Sequence, residues 1–243
     1  MNDKPSKGLL PPGMNDILPP DAAFETATVE RLLSVFRGAG YEQVKPPLLE
    51  FEDSLLGGAG AAMTQQTFRL MDPASHAMLG LRADMTLQVA RIATTRMKNS
   101  PRPLRLCYGG QVLRIRGTQM RPERQFGQVG SELLGSQGPQ ADAEVILMAV
   151  EALSDVGVKD LSIDLALPTL VPALLGKIDL DDESRDTLRV ALDRKDEAAV
   201  GALSKKLGKA TTDQLTAMLK ATGPADDALA ALTKLLLPKA AAN

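Results

Sequence analysis

The sequence predicts an α+β fold, in which antiparallel strands are joined as hairpins and helices lie beside them. Segments with the three-to-four-residue apolar repeat of a helix alternate along the chain with segments in which apolar residues occupy every second position. Turn-forming residues separate two pairs of the alternating segments. No GxGxxG or GxxxxGKS/T loop follows any of them, which disfavours a doubly wound nucleotide-binding fold.

The first predicted elements are a helix, a short strand and a hairpin. Apolar residues at helical spacing predict a helix over 20–39, which a pair of glycines ends. A strand over 41–47 runs into two prolines. Segments 66–71 and 78–82 alternate on either side of the turn sequence DPASHA and are expected to form the hairpin.

A second hairpin is expected after another helix. Helical spacing predicts that helix over 86–97, and alternation predicts strands over 104–116 and 124–134 that pair antiparallel. Gly109 and Gly110 are expected to bend or bulge the first of these strands, because glycine within a strand often marks such a site.

The chain changes character in its last third. A helix over 139–156 and an alternating strand over 161–167 complete the mixed part, and later residues are rich in Ala, Leu, Lys and Asp. This division predicts a sheet domain over 1–167 and a helical segment over 168–243. Four phrases of the helical segment open with acids or Thr and tend to close with basic residues, as helices prefer; they are 181–192, 196–207, 211–222 and 225–236.

The composition excludes some classes of function. Apolar residues make up 44% of the chain, enough for a core, and the net charge of −2 provides no polycationic surface for nucleic acid. With no Trp and two Tyr, stacking of bases on exposed aromatic rings is disfavoured as well. No run of about 20 apolar residues could span a membrane. These features predict a soluble, cytoplasmic protein that does not bind membranes.

The single histidine and the single cysteine are interpreted as structural. His76 lies in the predicted turn and has no positioned partner for general-base chemistry. Cys107 has no Cys or His close by in sequence, so it is expected to be a small buried side chain rather than a metal ligand. One cysteine also suits a reducing cytosol.

An unusual density of arginine marks the second hairpin. Residues 69–124 contain ten Arg and one Lys, and Arg is preferred where a planar fork must grip a carboxylate or phosphate. Alternation would place Arg114 and Arg116 on one face of the first strand, and Gln128 and Glu132 on one face of the second. This set suits an amino acid, whose carboxylate and ammonium need opposite charges. A solvated strand pair with cross-strand ion pairs explains the pattern equally well.

A second group of polar residues precedes the 86–97 helix. The phrase LRADMT places Arg82 and Asp84 on one face at the end of a strand, and Thr86 at the start of the helix. Thr86 could be a plain helix cap and Asp84 an acid that favours the helix N-terminus.

Five segments together resemble successive landmarks of the class II histidyl-tRNA synthetase core over residues 8–167: PPGMNDILPPDA, YEQVKPPLLE, LRADMTLQVARI, LRIRGTQMRPERQFGQVGSELLG and GPQADAEVILMA. The resemblance is closer to the synthetase-like paralogues that act as regulatory subunits of ATP phosphoribosyltransferase. Those commonly read Arg-Ala-Asp-x-Thr where the synthetases read Arg-Pro-Glu-x-Thr. The resemblance implies a class II synthetase-like antiparallel sheet with flanking helices, C-terminally truncated, with a helical tail similar to the family's helical insertion.

Departures from the synthetase pattern concern ATP chemistry. Arg114 matches the arginine of the second synthetase motif, but Arg116 stands where that motif has a glutamate that helps to place ATP. The third motif and the Arg-Gly-x-x-Tyr-Tyr segment are not found in the sequence. The resemblance therefore implies a retained amino-acid pocket with no catalytic residue.

By resemblance, the pocket binds histidine. Asp84 and Glu132 would take its ammonium and imidazole ends, Arg114 and Gln128 would lie on the carboxylate side, and Thr86 would support the ammonium group. No metal and no cofactor are implied.

Three functions are compared. The first is a non-catalytic regulatory subunit of a short-form ATP phosphoribosyltransferase, at the first step of histidine biosynthesis, which the catalytic subunit needs for activity and for feedback inhibition by histidine. The alternative is a histidyl-tRNA synthetase-like enzyme or fragment that activates histidine with ATP. The third, RNA binding, is disfavoured by charge and composition. An incomplete sheet would expose an edge to other chains, so homo- and hetero-oligomers are expected.

Overall fold

The computed structural model describes residues 8–167, 169–176 and 178–235. The chain separates into two compact units, Met1–Leu161 and Ser162–Asn243. The sequence prediction places 162–167 with the first domain instead, and the division into a synthetase-like sheet domain over 1–167 and an insertion-like helical segment over 168–243 stays a prediction.

The first unit combines short and long strands with helices. Its helices are α1 (Asp21–Gly38), α2 (Glu52–Leu56), a 3-10 helix (Gly58–Gln66), α3 (Thr86–Thr94) and α4 (Pro139–Asp155). Its strands are β1 (Glu42–Gln43), β2 (Leu49–Phe51), β3 (Arg69–Met71), β4 (Met78–Leu81), β5 (Leu104–Leu113) and β6 (Gln125–Leu134). The three long predicted helices and both predicted hairpins are thus confirmed, with shorter ends. Strand β2, helix α2 and the 3-10 helix were not predicted.

The main sheet has the order β1-β5-β6 and carries helices on both faces. β5 and β6 pair antiparallel over ten residue pairs, from Leu104 opposite Leu134 to Leu113 opposite Gln125. The side chains of one face pack with α3, where Val89 is fully buried. The other face carries Cys107 and packs with α1 and α4. The alternation read from the sequence therefore separates two cores, one on each side of the sheet.

The small sheet has the order β2-β4-β3, and both of its strand pairs are antiparallel. Arg82, directly after β4, joins it to the main sheet. Its Nε donates to the carbonyl of Gln111 on β5 at 2.7 Å, and its Nη1 donates to the carbonyl of Pro46 at 2.9 Å. Only 8% of Arg82 is exposed, and burial lowers the pKa of its guanidinium.

Two predictions about the sheet are wrong. Gly109 and Gly110 make no bulge, since both pair in register with β6. Gly110 is needed for close approach, because a Cβ there would lie 2.5 Å from Nη2 of the buried Arg82, whereas a Cβ on Gly109 would be a tight contact at 3.2 Å from Leu33.

Segment 161–167 is the second error, because the structure gives it no strand. Its alternating side chains Ile163, Leu165 and Leu167 are exposed. Alternation shows which side chains would share a face, but a strand forms only where a neighbouring strand accepts its backbone hydrogen bonds. No described strand does so here.

The second unit is helical, as predicted. Its helices are α5 (Leu170–Leu175), α6 (Asp182–Asp193), α7 (Glu197–Ala202), α8 (Ser204–Leu207), α9 (Lys209–Lys220) and α10 (Ala225–Leu232). The Asp181 side chain caps α6 by accepting from the Ser184 amide at 2.9 Å, and Asp196 caps α7 in the same way. Leu188, Val200 and Leu215 anchor a separate core. Among all the described residues, no helix is both long and apolar enough to cross a membrane.

We expect Arg82→Ala to lower the free energy of unfolding by about 2–4 kcal/mol, because two carbonyls lose their donor and the buried side chain leaves a void. Denaturant titration measures this change. The matched control is Arg31→Ala. Arg31 is 58% exposed and pairs with Asp155 on the surface, so its loss should cost less than about 1 kcal/mol. Equal losses of unfolding free energy for the two variants would show that the buried Arg82 contacts stabilise the protein no more than a surface ion pair does.

Candidate functional site

Four of the five predicted site residues lie where the main sheet packs with α3. The β5–β6 register places Gln128 opposite Gly110, and Glu132 opposite Leu106, on that face. Asp84 lies in the connection from β4 to α3, and Thr86 is the first residue of α3. The sheet and the N-terminus of a helix therefore present these four side chains to one another.

Asp84 and Gln128 form the first hydrogen-bonded pair. The Gln128 amide nitrogen donates to Oδ2 of Asp84 at 2.9 Å, and its oxygen accepts from the backbone amide of Met85, also at 2.9 Å. Oδ1 of Asp84 accepts from the Thr86 amide at 2.8 Å. Both partners hold the amide in one orientation, so the Asp84 carboxylate has a fixed position at the start of α3.

Thr86 and Glu132 are connected through a tyrosine that the sequence analysis did not identify. The Tyr108 hydroxyl lies 3.0 Å from Oγ1 of Thr86 and donates to Oε1 of Glu132 at 3.1 Å. The available signal was its position on β5, two residues after Leu106 on the same predicted face. Its hydroxyl contacts depend on the pairing with β6, which alternation alone does not specify.

Arg114 lies beside this group, outside the strands. β5 ends at Leu113 and β6 begins at Gln125, so the prediction that Arg114 and Arg116 share a strand face is wrong. Nε of Arg114 donates to the carbonyl of Ala83 at 3.3 Å, next to Asp84. Arg114 is therefore held near the site by its hydrogen bond to the backbone of Ala83. It makes no direct hydrogen bond to the other four predicted residues.

The loop between β5 and β6 encloses a polar cavity of about 230 Å³. The guanidinium carbons of Arg114 and Arg121 lie 5.1 and 4.7 Å from the centre of the Phe126 ring, within the range of cation–π attraction. Arg116 and Glu123 also line the cavity. No ion pair found in the described parts of the chain includes Arg114, Arg116 or Arg121, so cross-strand ion pairing does not explain these arginines.

Burial sets the electrostatics of the Glu132 side. The pKa of Glu132 is raised, mainly by burial and further by the charge of Asp84. Hydrogen bonds from Thr86 and Tyr108 lower it, but by less. Burial likewise raises the pKa of Tyr108. Asp84 and Glu132 are thus two carboxylates close enough to interact, one of them partly desolvated, and together they favour a cationic ligand.

A larger cavity of about 530 Å³ lies in the helical unit. Its lining is mainly apolar, with side chains such as Leu175 and Leu188. Arg189, one of its charged residues, is already paired with Asp186 and Asp193. It offers no paired carboxylates for an ammonium group, so the group around Asp84 and Glu132 is the better candidate for an amino acid.

The two residues interpreted as structural behave accordingly. Cys107 is fully buried on β5, and burial raises the pKa of its thiol. His76 lies in the turn between β3 and β4, where its amide donates to the Asp72 carbonyl at 2.9 Å. The described residues contain no group of three or more His, Cys, Asp or Glu side chains that could hold a metal ion.

Comparison with known proteins identifies the family. A family model described as histidyl-tRNA synthetase matches residues 13–243. The chain belongs to the histidyl-tRNA synthetase family. Within this family, the chain is 57% identical to an ATP phosphoribosyltransferase regulatory subunit from Paramagnetospirillum magneticum, over all of the chain and 63% of that protein. It is 55% identical to the protein of the same name from Rhodospirillum centenum, over 98% of the chain and 60% of that protein.

A solved structure confirms the predicted class II synthetase-like α+β fold. It is described as an ATP phosphoribosyltransferase regulatory subunit/histidyl-tRNA synthetase from Bacillus halodurans, and it matches with a TM-score of 0.84 at 28% identity. The match covers 98% of the chain and 62% of that structure. The chain thus spans about three fifths of the length of these histidyl-tRNA synthetase family members. The resemblance to the regulatory-subunit branch of the family is confirmed.

The raised pKa of Glu132 gives a prediction for stability. The folded protein keeps the Glu132 proton to higher pH than the unfolded chain, so ionising Glu132 costs stability as pH rises from about 4 through the raised pKa. Glu132→Gln removes this cost. We expect the variant to gain thermal stability relative to the unmodified protein as pH increases, measured by melting temperatures across the range.

Glu144→Gln is the control of opposite sign. A hydrogen bond from Arg105 lowers the pKa of Glu144, so its contribution is present above the unfolded pKa and is lost as pH falls through the folded one. This variant should therefore be less stable than the unmodified protein at neutral pH, with a difference that shrinks in acid. Parallel pH profiles for both variants would contradict the assignment.

Proposed function

We propose that the chain is a non-catalytic regulatory subunit of a short-form ATP phosphoribosyltransferase, the first enzyme of histidine biosynthesis. The catalytic subunit needs it for activity, and histidine inhibits the complex through it. The observation that carries the proposal is the hydrogen-bonded group of Asp84, Thr86, Gln128 and Glu132 with Arg114 at its side. The names of the two relatives compared above support the choice of partner.

The chemistry of the group fits histidine. An amino acid with a basic ring presents two N–H-rich ends and one carboxylate. Asp84 and Glu132 supply an acceptor for each N–H end, and Thr86 can support the ammonium group. Arg114 supplies a planar donor fork for the carboxylate, with Gln128 on the same side. The assignment of histidine is a proposal from this complementarity and from the family.

The loop cavity argues against activation of histidine with ATP. The family's second motif places a glutamate where this chain has Arg116, which lines the cavity together with two more arginines and a single acid. A positive side chain cannot replace the acceptor that the glutamate provides. The alternative of a histidine-activating enzyme therefore lacks one of its required groups.

Histidine binding is the first test. We expect calorimetry to detect histidine binding and Arg114→Ala to weaken it at least about tenfold, because losing one partner of a buried charge pair costs about 2–5 kcal/mol. Arg31→Ala, on the exposed surface of α1, should leave the affinity unchanged. Arg121 is unsuitable as a control because it stacks on the same ring as Arg114. Equal affinities for both variants would exclude this pocket.

The regulatory role requires a second test. A short-form ATP phosphoribosyltransferase catalytic subunit should gain activity when the chain is added, and histidine should inhibit the mixture but not the catalytic subunit alone. Histidine-dependent exchange of pyrophosphate into ATP by the chain alone should be undetectable. Robust exchange would favour the histidine-activating alternative.

We also propose that the chain forms homo-oligomers through the small sheet, with a second copy as the occupant. Cross-strand pairing puts five apolar side chains on one face: Leu49, Phe51, Leu70, Leu79 and Leu81. Phe51 is 54% exposed. A contiguous apolar patch of this kind is unusual on a monomer. A twofold axis brings the same patch of two copies together, so an apolar face of this kind can be covered by its own copy.

Phe51→Asp should shift the chain toward monomers in size-exclusion chromatography with light scattering, because a buried unpaired charge opposes association. Leu147→Asp is the matched control, since Leu147 is 68% exposed on α4 and lies outside this sheet face. The proposal fails if the unmodified chain is monomeric at high micromolar concentration, or if both variants dissociate equally.

A further inference from the structure

The Tyr108 hydroxyl is the central contact of the candidate site. Only 3% of Tyr108 is exposed, and its hydroxyl lies between the side chains of Thr86 and Glu132. A carboxylate can only accept hydrogen bonds, so the Tyr108 hydroxyl donates its one hydrogen bond to Glu132. The Thr86 hydroxyl can then donate either to the tyrosine oxygen or to Glu132, whose pKa a hydrogen bond from Thr86 also lowers. Helix α3, strand β5 and strand β6 are thereby connected by one chain of polar contacts.

A missing side chain on the neighbouring strand makes room for this hydroxyl. Tyr108 pairs with Gly130 in the β5–β6 register, and Glu132 is the next residue of β6 on the same face. A Cβ on Gly130 would lie 2.5 Å from the Tyr108 hydroxyl oxygen and 2.6 Å from the ring carbon that carries it. These distances are far below van der Waals contact. Only glycine at this position therefore allows the ring to lie across β6 and reach Glu132.

We propose that Tyr108 is a positioning residue of this site: by holding Oε1 of Glu132, it fixes the carboxylate plane, and so the direction in which Glu132 can accept an N–H of the ligand. The inference rests on the proposed histidine site and adds a residue to it. A carboxylate on a flexible side chain otherwise rotates freely and loses rotamer entropy on binding. Tyr108 removes that loss before the ligand arrives.

Tyr41 provides a matched control. It is the other tyrosine of the chain, it is 2% exposed, and its hydroxyl donates to a glutamate, Oε1 of Glu144, at 3.1 Å. It packs with α1 and α4, on the side of the sheet away from α3. Tyr41→Phe therefore removes the same kind of bond on the opposite side of the sheet without touching the site.

The test compares Tyr108→Phe and Tyr41→Phe in two measurements. The first follows the Glu132 carboxyl by carbon-13 NMR during a pH titration without ligand. The titratable groups that act on Glu132 are Tyr108 and Asp84. Loss of a donor to the charged form should raise the pKa of Glu132 in Tyr108→Phe and leave it unchanged in Tyr41→Phe. The second is histidine calorimetry, where Tyr108→Phe should weaken binding at least about tenfold, a difference of about 1.4 kcal/mol.

The two measurements separate failure of the inference from failure of the proposed function. If histidine binds the unmodified chain and Tyr108→Phe changes neither the affinity nor the Glu132 titration, Tyr108 has no positioning role. If the titration shifts but no histidine binds, the histidine site is wrong while the tyrosine–glutamate contact stands. Gly130→Ala is a second variant, which keeps the Tyr108 hydroxyl but forces it to move. It should reproduce both effects of Tyr108→Phe, and normal binding by this variant would also overturn the inference.

Discussion

The ten-residue antiparallel register of β5 and β6 is the constraint on which the first unit depends. It places Cys107 among the side chains that pack with α1 and α4, and Tyr108 among those that pack with α3. A shift of one residue would exchange the two faces and bring Cys107 to the site. Glycines on the paired strands then admit what a side chain would exclude, the Arg82 guanidinium at Gly110 and the Tyr108 ring at Gly130. The core and the candidate site therefore follow from one pairing.

The same register organises the polar groups in two layers. Tyr108 and Gln128 are rooted in the sheet and make fixed hydrogen bonds to Glu132 and Asp84, so the carboxylates gain their orientation from neutral neighbours. Arg114 belongs to the loop, where its guanidinium lies over Phe126. A ligand between these layers would meet acceptors fixed by the sheet and a cation carried by the hairpin. This arrangement suits a small zwitterion better than a nucleotide, because the two carboxylates would repel the phosphates of a nucleotide.

Periodicity was sufficient to predict the long helices and both hairpins, because amphipathic patterns report directly on burial. Alternation and the LRADMT phrase drew attention to the five site residues, the resemblance gave them their roles toward histidine, and the structure places them in one neighbourhood. The errors have a common cause. Segment 161–167, the glycine pair at 109–110 and Tyr108 all depend on which strand or side chain lies opposite, and spacing along the chain contains no such information. Strand β2 was missed because three residues are too short for an alternation to be recognised.

The most direct test of the account is a crystal structure of the chain grown with histidine. The account predicts that histidine lies on the α3 face of the main sheet, with N–H groups within hydrogen-bonding distance of Asp84 and Glu132 and its carboxylate beside Arg114. It also predicts that the Tyr108–Glu132 contact is unchanged on binding. Histidine in the apolar cavity of the helical unit, or only in the arginine loop, with the Asp84–Glu132 site empty, would contradict it.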